Sequence, residues 1–209
     1  MRRKLPYLTL VLPVLGCGGG GGAANSDFGD VAGSQVSVVL NNEENGVVSD
    51  PDIGLAAFVI GASDGGRVVA QAGIAPGATV GPAATSGTAS FSGTYGMWIA
   101  DEIVQNDNGG VTWQEGEARG NLNLSANFGT GSVTGSGTGS SGPNSRIDVA
   151  GSISGQNMTG TVDIRYTDPS NIGRDLSADM IGRIGTNGAV GAFHASDADT
   201  AIAGGFVVD

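Results

Sequence analysis

The chain has 209 residues, a formal net charge of −11 and nine cations, three of which fall within the first four residues. No basic stripe remains to hold nucleic acid or an anionic membrane surface. One cysteine excludes an internal disulfide framework, and a hydrophobic share of 39% argues against disorder despite 39 glycines.

The chain opens with a basic head, Met1 to Lys4, followed by an apolar run from Leu5 to Leu15. That is the layout of a secretory signal peptide, and the run is too short to cross a bilayer as a helix. Val14-Leu15-Gly16-Cys17 resembles a bacterial lipobox. Gly16 supplies the small residue that cleavage needs, and the Cys17 thiol supplies the atom that carries diacylglycerol. Residues 1–16 are therefore expected to be removed, leaving an acylated (diacylglycerol plus palmitate-type) Cys17 as the membrane anchor. A plain secreted protein cut near Ala23-Ala24 is the alternative, and it leaves a lone free thiol to explain. Gly18 is not an aspartate, so nothing signals retention at the inner membrane, and an outer-membrane lipoprotein is expected. Residues 17–34 read as a flexible glycine-rich tether reaching roughly 20 Å.

Residues 35–80 are expected to form a small handle-like β segment. Val36 to Leu40 reads as a strand. Leu55 to Ile60 and Arg67 to Gln71 flank Ser63-Asp64-Gly65-Gly66 and read as a hairpin. Pro76 and Pro82, with small residues between, read as a connection. From residue 81 to 209 the apolar period is two. Ala118, Leu122, Leu124, Ala126 and Phe128 fall on one side of a strand, with Arg119, Asn121, Asn123, Ser125 and Asn127 on the other. Met158, Val162, Ile164 and Tyr166 repeat the pattern. Ile147, Val149 and Ile153, then Ala178, Met180 and Ile184, add two more strands. Phe91 with Tyr95, Phe193, and Ile202 with Phe206 mark three others, and Ser132 to Thr138 is a glycine-rich eighth. Turn signals lie at Asp107 to Gly110, Ser140 to Asn144 and Thr186 to Gly188. The class is all-β, and glycines inside strands, such as Gly93, Gly151, Gly160, Gly191, Gly204 and Gly205, favour an eight-stranded antiparallel barrel over a sandwich.

Four stretches occur in order: "SGTASFSGTYG" (Ser86 to Gly96), "GNLNLSANFGTGSVTGSGTG" (Gly120 to Gly139), "AGSISGQNMTGTVDI" (Ala150 to Ile164) and "GAVGAFHASDADTAIAGGF" (Gly188 to Phe206). Together they resemble the barrel of the transferrin-binding protein B family, which includes factor H-binding protein. The resemblance implies a surface lipoprotein of the outer membrane that binds a host or environmental protein through its loops, in a setting of iron or haem acquisition. This chain has one barrel where that family's namesake has two lobes, and it lacks the large cation-rich loops. The resemblance carries over no ligand and no binding residue.

Residues that could carry chemistry each have a plainer reading. His194, the only histidine, could ligate metal or haem with Tyr166, or could face water on a strand. Asp197 and Asp199, like Asp50 and Asp52, have calcium-type spacing but too few further oxygens, and a solvated turn explains them. Trp98, Asp101 and Glu102 form the candidate binding loop; a strand end with a polar rim is the alternative. Trp98, Trp113 and Tyr95 could stack a ligand or cap one barrel end. A single histidine outside any serine or cysteine motif makes a triad improbable. "GTGSVTGSGTGSSG" lacks the lysine and helix of a phosphate loop. No catalytic residue, metal ligand or cofactor is assigned, and an enzyme is not expected. The expected partners are the membrane, through the lipid on Cys17, and a protein ligand. The alternative is a structural envelope lipoprotein without a soluble ligand. A transmembrane barrel is a third reading, since alternation suits either orientation.

Overall fold

The computed structural model describes residues 40–63, 66–168 and 170–209. The signal segment, Cys17, the tether and residues 36–39 lie outside the described residues. Eleven strands follow in chain order: β1 Leu40–Asp50, β2 Gly54–Ser63, β3 Val68–Ile74, β4 Thr88–Gln105, β5 Val111–Asn127, β6 Ser132–Ser141, β7 Ser145–Ser154, β8 Asn157–Thr167, β9 Gly173–Ile184, β10 Ala189–Ser196 and β11 Ala201–Val208. The first three make an antiparallel sheet in the order β1-β2-β3. The other eight close into an antiparallel barrel, with β11 seated between β10 and β4. All eight barrel strands and the β2–β3 hairpin were expected from the sequence. The strand over Asn41–Asp50 was not. Its inward residues are Gly46 and Val48, and Gly46 lies under the Phe58 ring, so this glycine is a packing position.

Alternation sets the barrel interior. Phe91, Tyr95, Leu122, Leu124, Ile147, Val162, Ile164, Met180, Phe193 and Phe206 all point inward and fuse into one buried cluster. Glycines make room for the rings. The Phe206 ring covers Gly191 and the Phe193 ring covers Gly204, where an added Cβ would come within 2.3 Å and 2.5 Å of ring carbons. On β5, β6 and β8 the outward positions are Asn121, Asn123, Thr134, Ser136, Thr159 and Thr161, all exposed. Apolar inside and polar outside is the reverse of a transmembrane barrel. The transmembrane reading is therefore withdrawn.

On β10 and β11 the polarity changes. Val190, Ala192, Ala203 and Val207 point outward and are buried under the three-stranded sheet, against Phe58, Ile60, Ala70 and Ile74. β11 is buried at all eight positions. A strand covered on both faces loses its alternation, which is why "AIAGGFVV" reads as a continuous apolar run.

Antiparallel order places the β4–β5, β6–β7, β8–β9 and β10–β11 loops at one end of the barrel, here the loop end. The connection through residues 75–87 docks at the opposite end. There Asn187 N donates to the Val80 carbonyl and Thr186 N to that of Pro82, while Val80 is fully buried.

Candidate functional site

At the loop end the inward rows of β4, β8 and β9 reach polar or charged residues. β4 runs Phe91, Tyr95, Met97, Ile99, Asp101; β8 runs Val162, Ile164, Tyr166; β9 begins with Arg174. Asp101 is 1% exposed. Its carboxylate accepts from Thr200 Oγ1 at 3.0 Å, Tyr166 Oη at 3.2 Å and the Glu102 backbone N–H at 3.0 Å. Arg174 crosses the opening and reaches Asp168 at 3.1 Å, Asp101 at 3.5 Å and Asp199 at 3.5 Å. Asp168 also accepts the Ile172 N–H at 2.7 Å, which closes the β8–β9 loop. The barrel is stoppered by one arginine among three carboxylates, each with hydrogen-bond donors.

Burial raises the Tyr166 hydroxyl well above the usual tyrosine range, and the neighbouring Asp101 carboxylate raises it further. Burial opposes the charge on Arg174, but Asp101, Asp168 and Asp199 outweigh it and leave the guanidinium raised. Deeper in, burial raises Tyr95, with the Ser145 hydroxyl at 2.9 Å acting the other way.

Above this stopper is an exposed rim. Glu102 occupies a β-bulge between Asp101 and Val104 and has φ of 52°. Asn171, in the β8–β9 loop, has φ of 62°. They are the two non-glycine residues with left-handed backbone among the described residues, and one contact joins their segments: Ser170 Oγ donates to Glu102 Oε1 at 2.7 Å. Gln114 Nε2 donates to the other Glu102 oxygen. Val104 and Ile172 flank this rim and are 55% and 53% exposed.

Of the predicted loop residues, the structure brings Asp101 and Glu102 to one end but onto different levels, Asp101 inside the barrel and Glu102 on its rim. Trp98 lies on the outer barrel face, partly buried against the sheet, as does Trp113. Tyr95 points inward, so the three aromatics neither stack together nor cap the barrel end. His194 is exposed on the outer face while Tyr166 points inside, so the two cannot share a ligand. Asp197 and Asp50 cap turns: Asp197 Oδ1 accepts from the Asp199 and Thr200 N–H groups, and Asp50 Oδ1 from those of Asp52 and Ile53. Among the described residues no group of three or more histidine, cysteine or acidic side chains is placed to hold a metal ion. Sequence reasoning missed Arg174, Asp168, Thr200 and the β8–β9 loop. Extending the inward register of β4 by three steps past Tyr95 reaches Asp101 and was the available signal.

No family model matches the chain, and no curated protein matches its sequence. Solved structures of transferrin binding protein B (TbpB) do match. The isotype 1 protein of serogroup B Neisseria meningitidis is 16% identical at a TM-score of 0.44, over 79% of this chain and 34% of that one. Intact Ap-TbpB, with N and C lobes, is 12% identical at 0.45, over 84% and 40%. A variant from Haemophilus parasuis Hp5 is 13% identical at 0.42, over 74% and 35%. This chain spans little more than a third of the length of these structures. The barrel implied by the sequence resemblance is present, as eight strands closed in sequence-neighbour order.

Proposed function

We propose that this protein is a lipid-anchored lipoprotein of the outer membrane, displayed at the cell surface, whose barrel binds a protein ligand at its loop end. In this reading residues 1–16 are the signal, Cys17 carries the lipid, 17–34 are the tether, 35–80 the handle and 81–209 the binding barrel. The supporting observation is the pairing of two strained backbones, Glu102 and Asn171, on one rim beside exposed Val104 and Ile172. Left-handed non-glycine residues cost about 1–3 kcal/mol each and persist where the surroundings dictate them, often at binding surfaces. The barrel interior is filled with side chains, which leaves the outside for a ligand. Glu102 serves as a contact residue, Asp101 holds the rim from beneath, and Trp98 backs it from the sheet side. No catalytic step is proposed.

The test has two parts. Cys17→Ala is expected to release the protein from the membrane fraction. Pull-downs from host serum and environmental proteins, with the wild type and with Glu102→Ala/Val104→Ser/Ile172→Ser, are expected to yield a partner that the triple variant loses. Equal retention by both forms would discard the rim. No partner for either form would favour the purely structural envelope role.

A further inference from the structure

The β4–β5 hairpin is much longer than the barrel needs. Pairing of β11 with β4 stops at Ala201↔Ala100, and pairing of β6 with β5 stops at Ser141↔Arg119. Beyond those points β4 and β5 pair only with each other, as far as Gln105↔Val111. A two-stranded ribbon on its own is marginally stable at best in water, so its anchors determine where it sits.

Those anchors lead to two bodies. On the barrel side, Ile103 N donates to the Asp199 carbonyl at 3.0 Å and Ser170 holds Glu102. On the sheet side, Gln105 Nε2 donates to the Gly66 carbonyl at 3.1 Å, in the β2–β3 turn. The fit there is close: a Cβ on Gly66 would sit 2.4 Å from the Gly109 carbonyl oxygen at the ribbon's tip. Ile103 and Trp113 line the underside and pack on the apolar cluster that joins sheet and barrel. At the opposite end the sheet is tied to the barrel covalently, through residues 75–87, a connection held by the hydrogen bonds that Thr186 N and Asn187 N donate to it. At the loop end the ribbon bridges the two bodies. The bulge at Glu102 marks where its register breaks, and it lies at the point where the ribbon leaves the barrel wall.

We propose that the ribbon Asp101–Gln114 is a strap that latches the three-stranded sheet to the barrel at Gly66 and opens about the Glu102 bulge, uncovering Ile103 and Trp113. This inference is independent of the ligand-binding reading.

Trp98 and Trp113 are the only tryptophans of the chain, so Trp98→Phe leaves Trp113 as a single reporter beneath the strap. In native-state hydrogen exchange of the full chain, amides of Val104, Asn106 and Thr112, which are bonded within the ribbon, are expected to exchange at least about 100-fold faster than those of Leu122–Ala126 in the same hairpin. Gly66→Ala, which cannot seat against Gly109, is expected to speed ribbon exchange at least about 10-fold further and to red-shift Trp113 emission, with barrel protection unchanged. Gly77→Ala imposes a similar backbone penalty at φ of 91° with nothing within 4 Å, and is expected to move neither signal. If Gly66→Ala does not fold, Gln105→Ala removes one latch bond without backbone strain and is expected to shift both signals in the same direction by a smaller factor. Equal protection of ribbon and barrel would overturn the strap. So would loss of protection spread evenly over ribbon and barrel in the latch variants, or latch variants whose ribbon exchange and Trp113 emission match the parent.

Discussion

Two walls of one barrel are built from opposite kinds of sequence. On β5 to β8 the water-facing positions are mostly serine, threonine, asparagine or charged residues, with Ala150 an exception. On β11 and the first half of β10 both faces are apolar, because the three-stranded sheet covers the outer one. The same backbone geometry therefore tolerates change very differently on its two sides. The sheet is part of the core, not an attachment to a finished barrel.

The comparison breaks most visibly under a buried charge. Ala203→Asp places a carboxylate on the outer face of β11, where the parent residue has no exposure. It is expected to cost more than about 4 kcal/mol, read from urea unfolding, because the sheet strips the carboxylate of its water. Thr134→Asp, outward on β6, is expected to stay within about 0.5 kcal/mol. A small effect at Ala203 would mean that the sheet lifts off easily.

Phe58→Ala tests whether the interface behaves as core. The ring fills the space over Gly46 and Gly96, and its loss is expected to cost about 3–5 kcal/mol while leaving a single cooperative transition. Two separate transitions would show sheet and barrel to be independent bodies.

Tyr166→Phe probes the stopper. It removes one donor from buried Asp101 and is expected to cost about 1–3 kcal/mol. Tyr166 is raised in the folded state, so it keeps its proton where the unfolded tyrosine has lost it. Its contribution is complete below the ordinary tyrosine pKa of about 10 and declines as pH rises above that. The wild type should therefore lose stability in alkali more steeply than Tyr166→Phe, as thermal melts against pH would show.

The smallest effect belongs to the polar wall. The hydrogen bond from Arg146 holds the Asp148 carboxyl below its usual range, with Arg165 assisting and burial opposing. Its stabilisation is present above the unfolded pKa near 4 and fades as pH falls below it. At this solvent-facing site Asp148→Asn is expected to change stability by at most about 0.5 kcal/mol at neutral pH. Urea midpoints of the two forms would check this.

Much of this architecture was legible in the residues. Ala118 to Phe128 and Met158 to Tyr166 gave the inward rows directly, because one buried and one wet face leaves a clean period of two. The asymmetry between walls was less legible. "AIAGGFVV" showed an apolar strand but could not say what covered its second face, since that depends on a sheet more than a hundred residues earlier in the chain. The rim was half legible: Asp101 and Glu102 stood out as charges beside aromatics, yet their split between interior and rim depends on strand register and a bulge. The β8–β9 loop has no local signal, and its role follows only from barrel closure, which brings Ser170 to Glu102.

The position of β11 also governs when the molecule can exist at all. It seals the seam by pairing with β4, whose matching residues were made about a hundred positions earlier, a separation that favours slow folding. Until the codon for Val208 has been read, the nascent product is an unsealed curl with two bare margins, and the sheet made first has no surface to rest on. Such an intermediate invites edge-to-edge sticking, so the chain is at its most vulnerable between the emergence of β4 and that of β11.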